Sequence, residues 1–393
     1  MINRLHVAAL MLVIVLGALA QAQTFTTLYS FTGSTDGAFP YAGVIQDESG
    51  NLYSTTWEGG DLSCGYNSSG CGVVFMLNSS GTEAVLYSFT GGSDGRYPFA
   101  PLVRDSNGNI YGTTPYGGNT NCSYGCGVVF KIDSAGNETV LHSFAGGSSD
   151  GCYPFQGLTS DKKGNLYGTT ADCGSSSEGT IFKLDSADNV TILHNFAGGS
   201  SDGARPYYGH LIMDKASNLY GLTELGGSSH VGVMYKMNVK GKLTLLHSFA
   251  GGSSDGCYPY GSATMDQAGN LYGTTGACGS SSWGTVWKVS EKGTETILHN
   301  FTGGSDGAFP YAGVTPDSKG SVYGVAAWGG ENGVGMVYEL SPKGAFTVLH
   351  GFTGYDGGFP YGEVLRTAKG ELFGTSSCLG IGERYGTVWS YMP

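Results

Sequence analysis

A five-residue motif, Asp-Gly-x-x-Pro, occurs seven times and constrains the fold of this chain more than any other feature. Each copy is followed by four short runs rich in Val, Ile, Tyr, Phe and Thr and bounded by Gly, Asn, Asp or Ser, a pattern typical of strands and tight turns. Four strands in each repeat of about 50 residues predict one propeller blade per copy. The motifs begin at Asp36, Asp94, Asp150, Asp202, Asp255, Asp306 and Asp356.

The two ends of the chain complement each other. Residues 27–31 match the fourth run of a repeat, and residues 386–389 match the third, so the seventh repeat lacks a fourth strand of its own. Pairing the two ends closes a ring and leaves no free sheet edge. We therefore predict that residues 23–393 form an all-β, seven-bladed β-propeller with four-stranded blades, closed by the N-terminal strand in the last blade. An open β-solenoid would leave the complementary ends unexplained.

Composition excludes other classes of protein. Glycine provides 69 of 393 residues and charged residues only 13 %. Because glycine in a helix interior costs about 1 kcal/mol relative to alanine, a helical protein is excluded. The net charge of −12 argues against nucleic acid or an anionic membrane surface as a partner.

Residues 1–22 have the features of a secretory signal peptide. Arg4 precedes an apolar stretch over 7–20, and Ala20-Gln21-Ala22 forms an A-x-A cleavage site. An uncleaved anchor is less favoured, because the stretch is shorter than the roughly 20 residues of a membrane-spanning helix. We expect a secreted or periplasmic chain without a membrane contact after cleavage, and a monomer.

The repeat resembles a known family, the GloVer (gloeo/verruco) tandem repeats of exported bacterial proteins. The resemblance rests on the sequences of residues 86–95, 164–170 and 179–184, and it extends over essentially the whole mature chain. It implies export and supports the repeat count. It implies no reaction.

The cysteines lie in loops that share one face of the predicted propeller. This face, called the loop face below, carries two kinds of loop. The motif loops contain the Asp-Gly-x-x-Pro motif. The variable loops connect the second and third strands, differ in length and are longest at 57–71 and 115–126. Variation on one face favours a binding role there. An oxidising compartment favours disulfides over metal ligation, and Cys378 is left unpaired. The predicted bridges are Cys64–Cys71, Cys122–Cys126, Cys152–Cys173 and Cys257–Cys278.

Single-copy loop residues are the candidates for ligand binding. Aromatic residues also flank the motif prolines, and we expect one of each pair to pack between blades while the other lines the working face. The seven motif aspartates could form a ring for Ca²⁺, although capping of their own turns is the favoured interpretation, and no other cofactor is expected. The candidates are Trp57, Glu58, Asp61, Tyr66, Tyr116, Tyr124, Glu224, His230, Trp283, Trp328 and Glu331.

Three functions fit these features, in decreasing order of preference. The first is binding of a polysaccharide or envelope glycan by the loop face, where tyrosine and tryptophan rings can stack on sugars. The second is a scaffold for an extracellular protein partner. The third is a metal-dependent lyase or hydrolase using Glu224, His230 or Glu58. Five histidines occupy one repeat position in the outer strand, which indicates packing rather than catalysis.

Overall fold

The chain forms a seven-bladed β-propeller, as the repeat predicts. A computed structural model describes residues 23–380 and 384–393, so the predicted signal peptide lies outside the described residues. Seven four-stranded antiparallel sheets form the blades. One short 3-10 turn spans Tyr66–Ser68 in the first long loop.

Each blade begins with a two-residue strand next to the central channel and ends with a six- or seven-residue outer strand. In blade 7 this outer strand is the first strand of the chain. The strands are Ile45–Gln46, Leu52–Thr56, Val73–Leu77 and Glu83–Ser88 in blade 1; Val103–Arg104, Ile110–Thr114, Val128–Ile132 and Glu138–Ser143 in blade 2; Thr159–Ser160, Leu166–Thr170, Thr180–Leu184 and Val190–Asn195 in blade 3; Ile212–Met213, Leu219–Thr223, Val233–Met237 and Leu243–Ser248 in blade 4; Thr264–Met265, Leu271–Thr275, Thr285–Val289 and Glu295–Asn300 in blade 5; Thr315–Pro316, Val322–Ala326, Met336–Leu340 and Phe346–Gly351 in blade 6; and Leu365–Arg366, Leu372–Ser376, Thr387–Met392 and Thr24–Ser30 in blade 7.

The predicted ring closure is present. Thr24–Ser30 pairs antiparallel with Thr387–Met392, from Thr24 opposite Met392 to Ser30 opposite Thr387. Blades 3, 4 and 5 each carry an extra two-residue ladder that joins the motif loop to the variable loop. These ladders pair Gly151–Cys152 with Asp172–Cys173, Gly203–Ala204 with Leu225–Gly226, and Gly256–Cys257 with Ala277–Cys278.

The hydrophobic core is divided among the interfaces between blades. Each of the seven buried clusters combines residues of two neighbouring blades. At every interface, a fully buried phenylalanine just after one outer strand packs against the aromatic residue in the third strand of the next blade. Phe89 and Phe130 do so with ring centroids 5.1 Å apart, and Phe249 meets Trp287 at 5.7 Å. Ring contacts of this kind add about 0.5–1.5 kcal/mol beyond area burial.

The motif aspartates hold their own loops rather than facing the channel. Asp150 Oδ2 accepts the backbone N–H of Ala145 at 2.9 Å and lies 3.1 Å from His142 Nε2 in the outer strand. Where tyrosine replaces the histidine, the contact persists, since the Tyr29 hydroxyl donates to Asp36 Oδ2 at 3.0 Å. The aspartates therefore cap turns. The repeated histidines contact these aspartates and also pack edge-on against the phenylalanine two residues later, as His142 does against Phe144 at 4.7 Å, which is the packing role that their position predicts.

The motif proline forms a joint between blades. The residue before each proline has a positive φ, between 53° and 59°. Tyr97 (φ 59°) donates its N–H to the Cys71 carbonyl of blade 1 at 2.8 Å. Pro98 packs on Gly72, where an added Cβ would lie 2.7 Å from Pro98 Cδ and 2.4 Å from the Thr56 carbonyl oxygen. The motif therefore needs both its proline and the distant glycine.

All four predicted disulfides are present. Cys64–Cys71 and Cys122–Cys126 close the two long loops, while Cys152–Cys173 and Cys257–Cys278 join motif loops to variable loops. Cys378 is a free thiol, as predicted. Within the described residues, the structure contains no helix long and apolar enough to cross a membrane.

Candidate functional site

A cavity of about 540 Å³ lies at the mouth of the central channel, on the face that carries the motif loops. Its wall is formed by the residue after each motif proline, because the packing of the proline between blades directs the next side chain towards the axis of the propeller. In blade 4 one additional residue in the loop places two tyrosines in the wall. The wall consists of Tyr41, Phe99, Phe155, Tyr207, Tyr208, Tyr260, Tyr311 and Tyr361.

The eight rings of the wall form a closed circuit of contacts. Neighbouring ring centroids lie between 4.3 and 6.1 Å apart around the whole circle. Two contacts are stacked, Phe155 on Tyr207 at 4.3 Å and Tyr311 on Tyr361 at 5.5 Å, and the circuit closes through Tyr361 and Tyr41 at 5.5 Å. Because each ring is held by two others, the wall is preorganised to present ring surfaces to a ligand.

The rim on the side of blades 1 and 2 extends this aromatic surface. Trp57 stacks on Tyr97 at 4.8 Å and also lines the cavity, as does Tyr116. The Arg96 guanidinium lies over Tyr97 at 5.2 Å and over Tyr124 at 5.4 Å. Two predicted candidates, Trp57 and Tyr116, thus belong to the cavity, and Tyr124 belongs to its outer rim.

A carboxylate supports the wall on the opposite side. The Tyr260 hydroxyl donates to Glu224 Oε1 at 3.3 Å. Burial raises the pKa of Glu224 above its usual range, although Tyr260 and the nearby Arg205 oppose this. Burial, reinforced by Glu224 and neighbouring hydroxyls, also raises the pKa of Tyr208 and Tyr260. The hydroxyls therefore stay protonated at neutral pH and can donate hydrogen bonds.

The sequence did not predict a polar group formed by two residues of the cavity floor, Ser262 and Glu363, together with His210, which contacts Ser262. The Ser262 hydroxyl lies 2.7 Å from His210 Nδ1 and accepts the His210 backbone N–H at 2.8 Å. The Ser262 backbone N–H donates to Glu363 Oε1 at 3.2 Å. A deviation from the repeat could have identified these residues. All three stand two residues before an innermost strand, where the other four blades have glycine or proline.

The remaining candidates are dispersed over the loop face. Tyr66 is 80 % exposed, and its backbone N–H donates to the Tyr97 hydroxyl at 3.1 Å. Trp283 and Trp328 are 39 % and 44 % exposed and pack edge-on against Phe309 and Phe359. Asp61 caps its own turn by accepting the N–H of Ser63. His230 and Glu331 are exposed.

The residues of the lyase or hydrolase hypothesis, Glu58, Glu224 and His230, are not assembled into one centre. Glu58 pairs through its backbone with Ala38, and burial raises the pKa of its carboxyl. Glu224 is engaged with Tyr260, while His230 is exposed in its loop. One His/Asp/Glu group does occur within the described residues, at His247, Asp255 and Glu295, but it lies among the outer strands of blades 4 and 5.

The tandem repeat identifies the protein family of this chain. A sequence model described as the Gloeobacter/Verrucomicrobia repeat matches residues 15–162, 120–321 and 269–393. The chain belongs to this family. No curated protein sequence matches this chain.

Several solved structures resemble this chain in fold. A streptogramin B lyase is 14 % identical, with 94 % of this chain and 97 % of the lyase covered and a TM-score of 0.61. A puromycin hydrolase is 12 % identical over 88 % of this chain and 53 % of its own, with a TM-score of 0.54. At these identities the likeness extends to the propeller alone.

Proposed function

We propose that this protein is an extracytoplasmic binding protein that takes a glycan into the aromatic cavity of its loop face. The observation that carries the proposal is the closed circuit of eight aromatic rings around about 540 Å³ of space. Ligand cavities typically measure about 300–1,000 Å³ and combine apolar walls with a few polar groups. This cavity fits that description.

The chemistry of the wall suits sugars in particular. A sugar ring has flat faces of C–H groups and a circumference of hydroxyls. Tyr41, Tyr260 and Tyr311 offer flat apolar rings and retain protonated hydroxyls, since burial raises the pKa of each. Ring surfaces would stack on the sugar faces, while tyrosine hydroxyls and the Glu363 carboxylate at the floor would meet the sugar hydroxyls.

The disulfides support an extracytoplasmic location. Four disulfides clip the loops that surround the cavity, and disulfides persist in oxidising compartments. Together with the signal peptide expected at residues 1–22, they favour secretion or a periplasmic location.

Affinity electrophoresis of residues 23–393 through gels containing different polysaccharides tests the proposal. We expect one class of glycan to retard the protein, and Trp57→Ala or Tyr311→Ala to abolish retardation. Trp283→Ala is the matched control, because Trp283 is an exposed aromatic residue of the same face outside the cavity lining. Unretarded migration through every gel, or equal loss with Trp283→Ala, would count against the cavity as a glycan site.

An exposed patch favours a second candidate function, binding of a protein partner. Tyr66 and Tyr124 are 80 % and 75 % exposed, and Arg96 lies over the Tyr124 ring. Tyrosine and arginine are enriched in the energetically important parts of protein interfaces. If this function holds, Tyr124→Ala would abolish capture of an envelope protein while Tyr311→Ala would leave it unchanged.

A further inference from the structure

The floor of the cavity departs from the sevenfold repeat at a single position. Two residues before each innermost strand, four blades have glycine or proline, as at Gly43 and Pro101. Blades 4, 5 and 7 have His210, Ser262 and Glu363 instead. Since the other four blades form the same fold without a polar side chain at this position, these three residues are candidates for a role specific to the site.

The carboxylate of Glu363 is fixed at this floor by its surroundings. It reaches past blade 6 to accept the Ser262 backbone N–H at 3.2 Å. Gly313 of blade 6 makes room for it, because a Cβ there would lie only 2.7 Å from Glu363 Oε1. Ser262 is held in turn by its two contacts with His210. The negative charge therefore has a defined place at the end of the aromatic cavity.

The electrostatic character of the cavity is negative. Among the described residues that line it, Glu363 is the one that carries a charge. A second carboxylate, Glu224, stands behind Tyr260. The nearby guanidinium groups are occupied at the rim, since Arg96 lies over Tyr97 and Arg205 faces Asp172 at 3.9 Å. The faces of the aromatic rings add the negative end of their quadrupoles.

We infer that this cavity recognises a positively charged ammonium group of its ligand. The inference rests on the proposed function and makes it more specific: the glycan would carry a free amine, as an amino sugar does. Aromatic faces together with a carboxylate are the chemistry that holds organic ammonium groups, with attraction of about 2 kcal/mol or more when the cation is desolvated. A quaternary ammonium headgroup has the same chemistry and is a separate arm of the test.

Isothermal titration with two matched oligosaccharides tests the inference. Oligomers of β-1,4-linked glucosamine and of N-acetylglucosamine share a backbone and differ in the charge of the nitrogen. We expect the free amine form to bind at least about tenfold more tightly, and Glu363→Gln to remove that preference. Glu178→Gln is the control, because Glu178 lies on the same face, in the loop between the second and third strands of blade 3, and outside the cavity lining. Circular dichroism verifies that each variant is folded.

The outcomes separate the inference from the proposed function. Equal affinity for both oligomers would overturn the ammonium inference and leave glycan binding intact. Binding of choline, lost in Glu363→Gln, without binding of either oligomer would support ammonium recognition and overturn the glycan. A preference for the free amine that survives Glu363→Gln would overturn the role of this carboxylate. Binding of none of the three would overturn both proposals.

Discussion

At the scale of single residues, the informative positions are those where one blade differs from the others. The first residue of the outer strand is apolar in some blades, as in Val190 and Leu243, but is Glu83, Glu138 and Glu295 in three others. Burial, followed by the charge of a motif aspartate, raises the pKa of Glu83 and Glu138 to about 7 and of Glu295 to about 8. These carboxyls lie between blades, and the folded protein is more stable when they are protonated.

The protein should therefore lose stability as the pH rises. A carboxyl whose pKa is raised on folding contributes stability below its unfolded pKa of 4.5, and that contribution is lost as the pH rises through about 8. We expect the unfolding temperature to fall between pH 6 and about 9. Glu295→Gln should recover about 1–2 kcal/mol at the alkaline end, after allowance for partial exposure. Thermal melts across this range measure the effect.

Glu291→Gln is the control for this prediction, because Glu291 is exposed in the turn that leads into the same strand. It should leave the pH profile unchanged. A profile for Glu295→Gln that coincides with the wild-type profile would contradict the assignment of the alkaline loss to this carboxyl, which faces Asp255 and His247.

Gly313→Ala tests the crowding at the cavity floor. An added Cβ would lie 2.5 Å from the Ser262 carbonyl oxygen and 2.7 Å from Glu363 Oε1, so the floor must shift. We expect a loss of about 1–3 kcal/mol in the free energy of unfolding, measured by chemical denaturation. Gly351→Ala in the outer strand of the same blade meets no atom within 4 Å and should be nearly neutral. Equal stabilities for the two variants would contradict this account.

At the scale of elements, the sequence predicted what is local and repeated. The four strands of blade 2, the turn caps and the pairing of Cys152 with Cys173 follow from patterns within one repeat. The floor of the cavity could not be predicted in this way, because Ser262 and Glu363 are 101 residues apart. They belong to blades 5 and 7, and blade 6 lies between them. Their meeting depends on the diameter of the ring, which no local pattern encodes.

A disulfide that closes a longer loop should stabilise the protein more than one that closes a shorter loop, although the dependence on length is only logarithmic. Cys152–Cys173 spans 21 residues, while Cys122–Cys126 spans 4. In the chain-entropy model, replacing both cysteines of the longer loop by alanine costs about 3 kcal/mol, and of the shorter loop about 2 kcal/mol. Denaturant unfolding of the two double variants measures the difference. A larger loss for the shorter loop would show that local strain or contacts, rather than loop closure, determine the effect.

At the scale of the whole molecule, the ring has one seam that differs from its other joints. Each blade except the seventh is formed by consecutive strands, whereas Thr24–Ser30 must return to Thr387–Met392. Phe25 strengthens the seam by stacking on His350 at 3.6 Å and by contacting Trp389 at 5.8 Å. Since every core cluster is shared by two blades, opening this seam exposes apolar surface on both sides. Stability of the whole ring should therefore depend on this strand.

Removal of residues 23–30 should open the ring and leave the strand of Trp389 as an unpaired edge. Such edges pair with other chains, so we expect a lower unfolding temperature and concentration-dependent dimers in sedimentation. A synthetic peptide of residues 23–31 should restore both the temperature and the monomer. Within the full chain, Phe25→Ala should cost about 1–3 kcal/mol, because it removes the stacked ring, while Thr26→Ala, at an exposed position of the same strand, should cost little. A truncated chain that stays monomeric with unchanged stability would mean that the blade interfaces hold the propeller without closure.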